Sequence, residues 1–133
     1  MAPILVFDIE TIPDVAGLRR VWELAPDAPD DAVVEFASQR RRQATGSDFL
    51  QCHLHRVVAI SCALRDRDSV KVWSLGTAKD GEAELVKRFF DGIDKYTPQL
   101  VSWNGSGFDL PVLHYRALFH GIAAPKYWDQ GDD

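Results

Sequence analysis

Val6-Phe7-Asp8-Ile9-Glu10-Thr11 decides the reading of this chain. The apolar run Ile4-Leu5-Val6-Phe7 leads directly into two carboxylates separated by one isoleucine. Side chains alternate faces along a β-strand, so Asp8 and Glu10 project together while Ile9 points back toward a core. Two carboxylates held side by side repel each other, and a cation between them relieves that repulsion. Standing alone, an Asp-x-Glu of this kind reads as the solvated end of a strand.

Downstream of this strand, Pro13 breaks regularity and Asp14 is placed to cap a short helix through Leu18, Val21, Trp22 and Leu24. Ala25 to Asp31, rich in Pro and Asp, reads as a linker. Pro29 and the aspartates after it suit the first turn of a second helix carrying Val33, Val34, Phe36 and Ala37. Arg40-Arg41-Arg42 suits that helix's C-terminus and reads first as a solvated end, with a phosphate-contacting patch as the second reading.

From Arg56 the pattern changes. Val57 to Leu64 is almost continuously apolar and predicts a strand buried on both faces. Ser69 to Leu75 alternates as a half-exposed strand, and the charged turn between the two predicts an antiparallel hairpin. With the first strand they make a three-stranded meander. Asp80 is expected to cap a helix with the stripe Leu85, Val86, Phe89, Phe90 and Ile93. Leu100-Val101-Ser102-Trp103 predicts a short strand reached by a crossover, hence parallel to the first. A last helix starts near Pro111, with Val112, Leu113, Ala117 and Leu118 for packing.

The bulk numbers suit one domain. The chain has 133 residues, 46% hydrophobic and 26% charged, enough for a single real core. Fifteen Lys and Arg against twenty Asp and Glu leave a net charge of −5, which argues mildly against a broad basic nucleic-acid surface. A cation-holding carboxylate cluster would itself contribute to that negative count. Cys52 and Cys62 have no C-x-x-C spacing and suggest neither a zinc site nor a disulfide scaffold. The N-terminal apolar run is too short for a signal peptide and nothing approaches membrane length, so a soluble cytoplasmic chain is expected.

A second carboxylate changes the weight of the first two. In Trp103-Asn104-Gly105-Ser106-Gly107-Phe108-Asp109-Leu110-Pro111, glycines supply a tight turn and Asp109 stands just ahead of a helix. Alone, Asp109 is a helix-capping aspartate and Asn104 a turn residue. Together, Asp-Ile-Glu-Thr after a buried strand and Asn-x-x-x-Phe-Asp after a later one resemble the first two motifs of the DEDD 3′–5′ exonucleases. The wording is most similar to the predicted exonuclease group related to the proofreading domain of family-B DNA polymerases.

That resemblance spans essentially the whole chain. It implies a ribonuclease-H-like α/β fold: a mixed sheet, three antiparallel strands then parallel ones, flanked by helices. It also implies that Asp8 bridges two divalent ions, Mg²⁺ or Mn²⁺, with Glu10 on the attacking-water side and Asp109 serving the other ion. Hydrolysing a phosphodiester needs hydroxide at neutral pH and neutralised charge on both entering and leaving oxygens, which two cations about 3.5–4 Å apart supply. Such hard cations select oxygen ligands, hence carboxylates. Thr11 is then placed to contact the terminal nucleotide, and Phe108 and Trp103 offer apolar surface to bases. For Trp103, packing against the sheet is the preferred reading, and Asn104 orients the loop or meets the nucleotide. His53 and His55 read as surface or packing histidines, and His114 and His120, on or after the last helix, as solvated ones.

The family's third motif, Tyr-x-x-x-Asp or His-x-x-x-x-Asp, has no match. Phe119 and Gly131 stand where Tyr115 and Tyr127 need an aspartate, and Phe119 and Pro125 where His114 and His120 need one. Asp129, Asp132 and Asp133 fall in an acidic tail. The expectation is one domain over 1–133, C-terminally truncated, with a helical insertion at 14–50. A 3′–5′ exonuclease acting on single-stranded DNA is implied, impaired or inactive as this piece. The alternative is a non-catalytic nucleic-acid-binding or assembly module of the same fold. Uncovered sheet or helix faces predict self-association.

Overall fold

Alternation along the first strand is what the fold is built on. The structure, a computed structural model, describes residues 2–77 and 79–123, apart from the Ser106 side chain. In β1 (Ile4–Pro13), Leu5, Phe7 and Ile9 are buried while Val6, Asp8 and Glu10 are exposed. The chain forms two compact units, one of residues up to Thr11 and from Val57 onward, the other of Ile12–Arg56.

The second unit holds α1 (Val15–Val21) and α2 (Asp30–Thr45) over a core of Leu18, Val33, Ala37, Leu50 and Leu54. Asp14 caps α1 as expected, its Oδ1 accepting the Gly17 N–H at 3.1 Å. The helix stops at Val21, however, and Val21 and Trp22 are exposed rather than part of an apolar stripe. Asp30 and Asp31 open α2 and Arg42 closes it, each suited to its end of the helix dipole. Gly46, at φ 83°, provides the left-handed residue that ends α2.

The first unit is a sheet with helices. Its strand order is β3-β2-β1-β4, with β2 at His55–Asp66, β3 at Ser69–Leu75 and β4 at Gln99–Val101. β4 runs parallel to β1, pairing Val6 with Val101, and β2 is antiparallel to β3, pairing Cys62 with Trp73. β2 is not buried on both faces as its apolar run predicts. Ile60, Cys62 and Leu64 are buried, whereas Ser61 is exposed and Val72, which pairs with Ala63, is 77% exposed. Small and polar residues at 61 and 63 allow an open outer face.

α3 (Glu82–Tyr96) buries the whole predicted stripe, with the Phe7 and Phe89 ring centroids 4.9 Å apart. It ends at Thr97, left-handed at φ 43°, followed by Pro98. Asp80 does not cap it. Gly81 holds the cap position, and Asp80 Oδ2 instead accepts the Thr77 N–H at 2.7 Å, closing the preceding turn. Between α3 and the sheet lies a cavity of about 270 Å³ whose lining includes Leu5, Cys62, Trp73 and Phe89. Burial pushes the Cys62 thiol up to about 11, so the residue is a protonated, inert filler of core space, as expected. Its pKa lies above the ordinary thiol value, so this contribution to stability is lost only as the pH rises through about 9 to 11.

α4 (Leu110–His120) packs on α3 and buries Val112, Leu113, Arg116 and Ala117. Leu118, expected to pack, is exposed. The helices are joined by a buried charge. Glu82 Oε1 accepts from Arg116 Nη2 at 2.6 Å, Arg116 Nε at 2.8 Å and His120 Nε2 at 2.8 Å. Its Oε2 accepts the Val57 N–H of β2 at 2.6 Å. His120, expected to be solvated, is therefore part of the interior network.

The topology is that of an α/β, ribonuclease-H-like mixed sheet with helical layers. Among the described residues, no helix is long and apolar enough to cross a membrane. Removing one member of a buried ion pair strands the other, at a cost of about 3–5 kcal/mol. Glu82→Ala is therefore expected to lose about that much stability in urea unfolding followed by circular dichroism. A loss below about 1 kcal/mol contradicts the role given to Glu82.

Candidate functional site

Three stretches of the first unit carry the predicted site residues: β1, the loop after β4, and the start of α4. Strand alternation puts Asp8 and Glu10 on one exposed face, as the sequence requires. Neither carboxylate has a hydrogen-bond or ion-pair partner among the described residues. Two unpaired carboxylates on neighbouring same-face positions concentrate negative charge with nothing in the described protein to offset it. Thr11 follows, half-buried.

The loop after β4 is held by a single π-type turn, Gly105–Asp109, a geometry that recurs at functional sites. Asn104 O accepts the Phe108 N–H at 2.9 Å and the Gly107 N–H at 3.2 Å. At Gly107 a Cβ would fall 2.6 Å from Asn104 Oδ1, so a side chain there displaces the asparagine. Asn104 is exposed and Phe108 half-buried.

Trp103 corrects an expectation. It does not pack against the sheet: its relative exposure is 101%. The physical reason is the strand period, since Val101 is already on the open face and the indole two residues later continues outward past the end of β4. Beside it runs a groove of about 410 Å³ lined by Phe7, Leu100, Val101, Asn104 and Leu110, among others.

Asp109 is only 6% exposed. It occupies the cap position of α4 yet makes no side-chain capping bond, so capping does not explain it. Its Oδ2 accepts the Ser102 hydroxyl at 2.6 Å. Sequence reasoning does not find Ser102, whose only signal is a hydroxyl at the end of the last strand. Asp8 and Glu10 thus share the exposed face of β1, and Asp109 is held by Ser102 at the start of α4. Among the described residues, no three His, Cys, Asp or Glu side chains gather where one metal ion could be held. By donor type and exposure the Asp8–Glu10 pair fits a hard cation; Asp109 supplies the same donor type from a position already occupied by Ser102. Tyr127 and the aspartates of the acidic tail lie outside the described residues.

His53, read with His55 as a surface or packing histidine, is exposed. His55 packs beside Phe49, with centroids 5.0 Å apart, and its Nε2 is 3.1 Å from Leu50 O. Burial lowers its pKa, an effect the backbone carbonyl partly offsets. It is a packing histidine, as expected.

The α/β domain thus carries a carboxylate pair on an interior strand of its mixed sheet and a third carboxylate at a helix start. Residues 47–133 match the family described as predicted 3′–5′ exonucleases related to the exonuclease domain of PolB, and the chain belongs to that family. The match includes Asn104 and Asp109 and begins after Asp8 and Glu10. The chain is also similar to "DNA polymerase 1" of Sulfurisphaera ohwakuensis, 51% identical over 37 residues. That stretch is 28% of this chain and 4% of the polymerase.

A hydrogen bond to a charged group contributes about 1.5–3 kcal/mol. Ser102→Ala takes the hydroxyl away from the buried Asp109 carboxylate and is expected to lower stability by about that amount, read by urea unfolding. An unchanged midpoint contradicts the Ser102–Asp109 assignment.

Proposed function

We propose that this chain is a metal-dependent 3′–5′ exonuclease domain acting on the 3′ end of single-stranded DNA. The observation that carries the reading is the unpartnered Asp8–Glu10 pair on the open face of β1, in a chain of the exonuclease family. In this reading Asp8, Glu10 and Asp109 hold two divalent ions, Mg²⁺ or Mn²⁺. Such ions, when bound, would make hydroxide available at neutral pH and offset charge on the entering and leaving oxygens. The residues do the rest. Asp8 and Glu10 would fix the place of attack on a rigid strand, and Asp109, whose carboxylate Ser102 orients, would supply the third acidic ligand. Thr11 and Asn104 position the terminal nucleotide, while Phe108 and Trp103 present apolar surface to bases.

No tyrosine or histidine stands with an aspartate in the third-motif spacing, so the chain itself offers no assigned general base. Such assistance contributes about 10²–10⁴-fold, and the chain's own activity is expected to be lower by that order. The same observation favours the second reading, a nucleic-acid-binding module that keeps the fold without turnover. The two free cysteines suit a reducing, cytoplasmic setting.

Incubating the chain with 5′-labelled single-stranded oligonucleotide and Mn²⁺ separates the readings. The first expects slow laddering from the 3′ end that disappears in Asp8→Ala. No laddering with protein in excess over oligonucleotide, or laddering unchanged in Asp8→Ala, leaves the binding-module reading in its place.

Self-association belongs to the same proposal. Val70 and Val72 on β3, the edge strand two places from β1, are 62% and 77% exposed. Light scattering after size exclusion is expected to show a dimer that Val72→Lys returns to monomer. A wild-type chain that is monomeric at high micromolar concentration contradicts it.

A further inference from the structure

We infer that the Ile12–Arg56 unit carries a separate binding site for a backbone phosphate of single-stranded nucleic acid, built from Arg40, Arg41 and Trp22. Most of this unit precedes the family match, which starts at residue 47. The inference rests on the reading that the chain handles nucleic acid, not on the carboxylate site.

Arg40 is the central observation. Its guanidinium lies 5.1 Å from the Trp22 ring centroid and 5.5 Å from that of Phe36, and the two rings meet edge-on at 5.7 Å. Stacking on aromatic faces holds a guanidinium in place and keeps its donors aligned. No carboxylate pairs with Arg40 among the described residues, whereas Arg19 pairs with Asp30 and Arg42 with Asp48. One turn away along α2 stand Phe36, Ala37, Gln43 and Ala44, none of them acidic. Arg41 donates through Nε to Phe49 O at 3.0 Å, which orients it and leaves its two Nη groups available.

Both arginines border one cavity of about 170 Å³, walled also by Trp22, Gln51 and His53 over Leu54. That volume is below the roughly 300 Å³ at which pockets enclose a drug-sized ligand, so it admits a group rather than a whole nucleotide. Two cationic forks, an amide and an imidazole at its wall suit an oxyanion with several acceptor oxygens. A phosphodiester fits this, with the strand continuing outside and a base free to meet the exposed part of Trp22. The triplet at the end of α2 therefore divides: Arg42 is the solvated, acid-paired helix end, and Arg40 and Arg41 are the binding pair.

Fluorescence anisotropy of a labelled oligothymidylate, titrated across potassium chloride concentrations with chelator present, tests the inference without cleavage. For a single strand, the slope of log K against log salt flattens by about 0.7 for every phosphate the protein ceases to neutralise. Arg40→Gln with Arg41→Gln is expected to flatten it by about 0.7 and to weaken low-salt binding about tenfold, while Arg42→Ala leaves both unchanged. Arg40→Lys keeps the charge without the fork, so it is expected to keep the slope while low-salt affinity falls part of the way, which also covers a double variant that fails to fold. A folded double variant, or Arg40→Lys, binding with wild-type affinity and slope overturns the site. So does polyglutamate competing as well as the oligonucleotide. Binding that depends on Arg40 in a chain that never cleaves leaves this site standing and removes only the exonuclease reading.

Discussion

Glu82 is the constraint on which the first unit depends. A carboxylate buried at the start of α3 is tolerable only because three groups meet it: the Arg116 fork, the His120 ring and the Val57 N–H. Those partners lie on α4 and β2, so one charge fixes two helices and a strand. α4 begins with the Asp109 carboxylate, and its placement sets the loop that carries Ser102, Trp103 and Asn104. Arg116 is held from its other side by Phe119, with the guanidinium carbon 4.5 Å from the ring centroid. A purely apolar contact would bury similar area without fixing the orientation of α4, because apolar contacts are not directional.

The carboxylates of this unit divide by how they are satisfied. Glu82 is paired, Asp109 has its serine, and Asp8 and Glu10 have nothing from the described protein. The exposed acidic pair carries mutual repulsion that a bound cation would relieve, which is the basis of the proposed metal site. The exposure of the pair is an observation separate from the family match, which begins downstream of it. Their agreement supports the proposed nuclease chemistry.

Much of this is legible in the sequence alone. Period-two alternation puts Asp8 and Glu10 on one face, and the stripe from Leu85 to Ile93 predicts α3 and its buried side. What is illegible is set by distance along the chain. Glu82 reads locally as an ordinary first-turn acid, because its partners are 34 and 38 residues away. The same separation hides the interior role of His120. The β2 run looks buried on both faces because apolar content alone does not say whether a second layer covers it. The size of Trp103 suggests the core, although the strand period already turns it outward. Arg40 likewise reads as a helix end until the fold sets Trp22 and Phe36 against it.

The central claim is that Asp8 and Glu10 form a cation site. Mn²⁺ titration followed by electron paramagnetic resonance measures it directly, because bound and free ion differ in signal. Saturable binding is expected in the wild-type chain and absent in Asp8→Asn and in Glu10→Gln, while circular dichroism stays unchanged. Equal Mn²⁺ binding by the wild type and both variants would contradict the account.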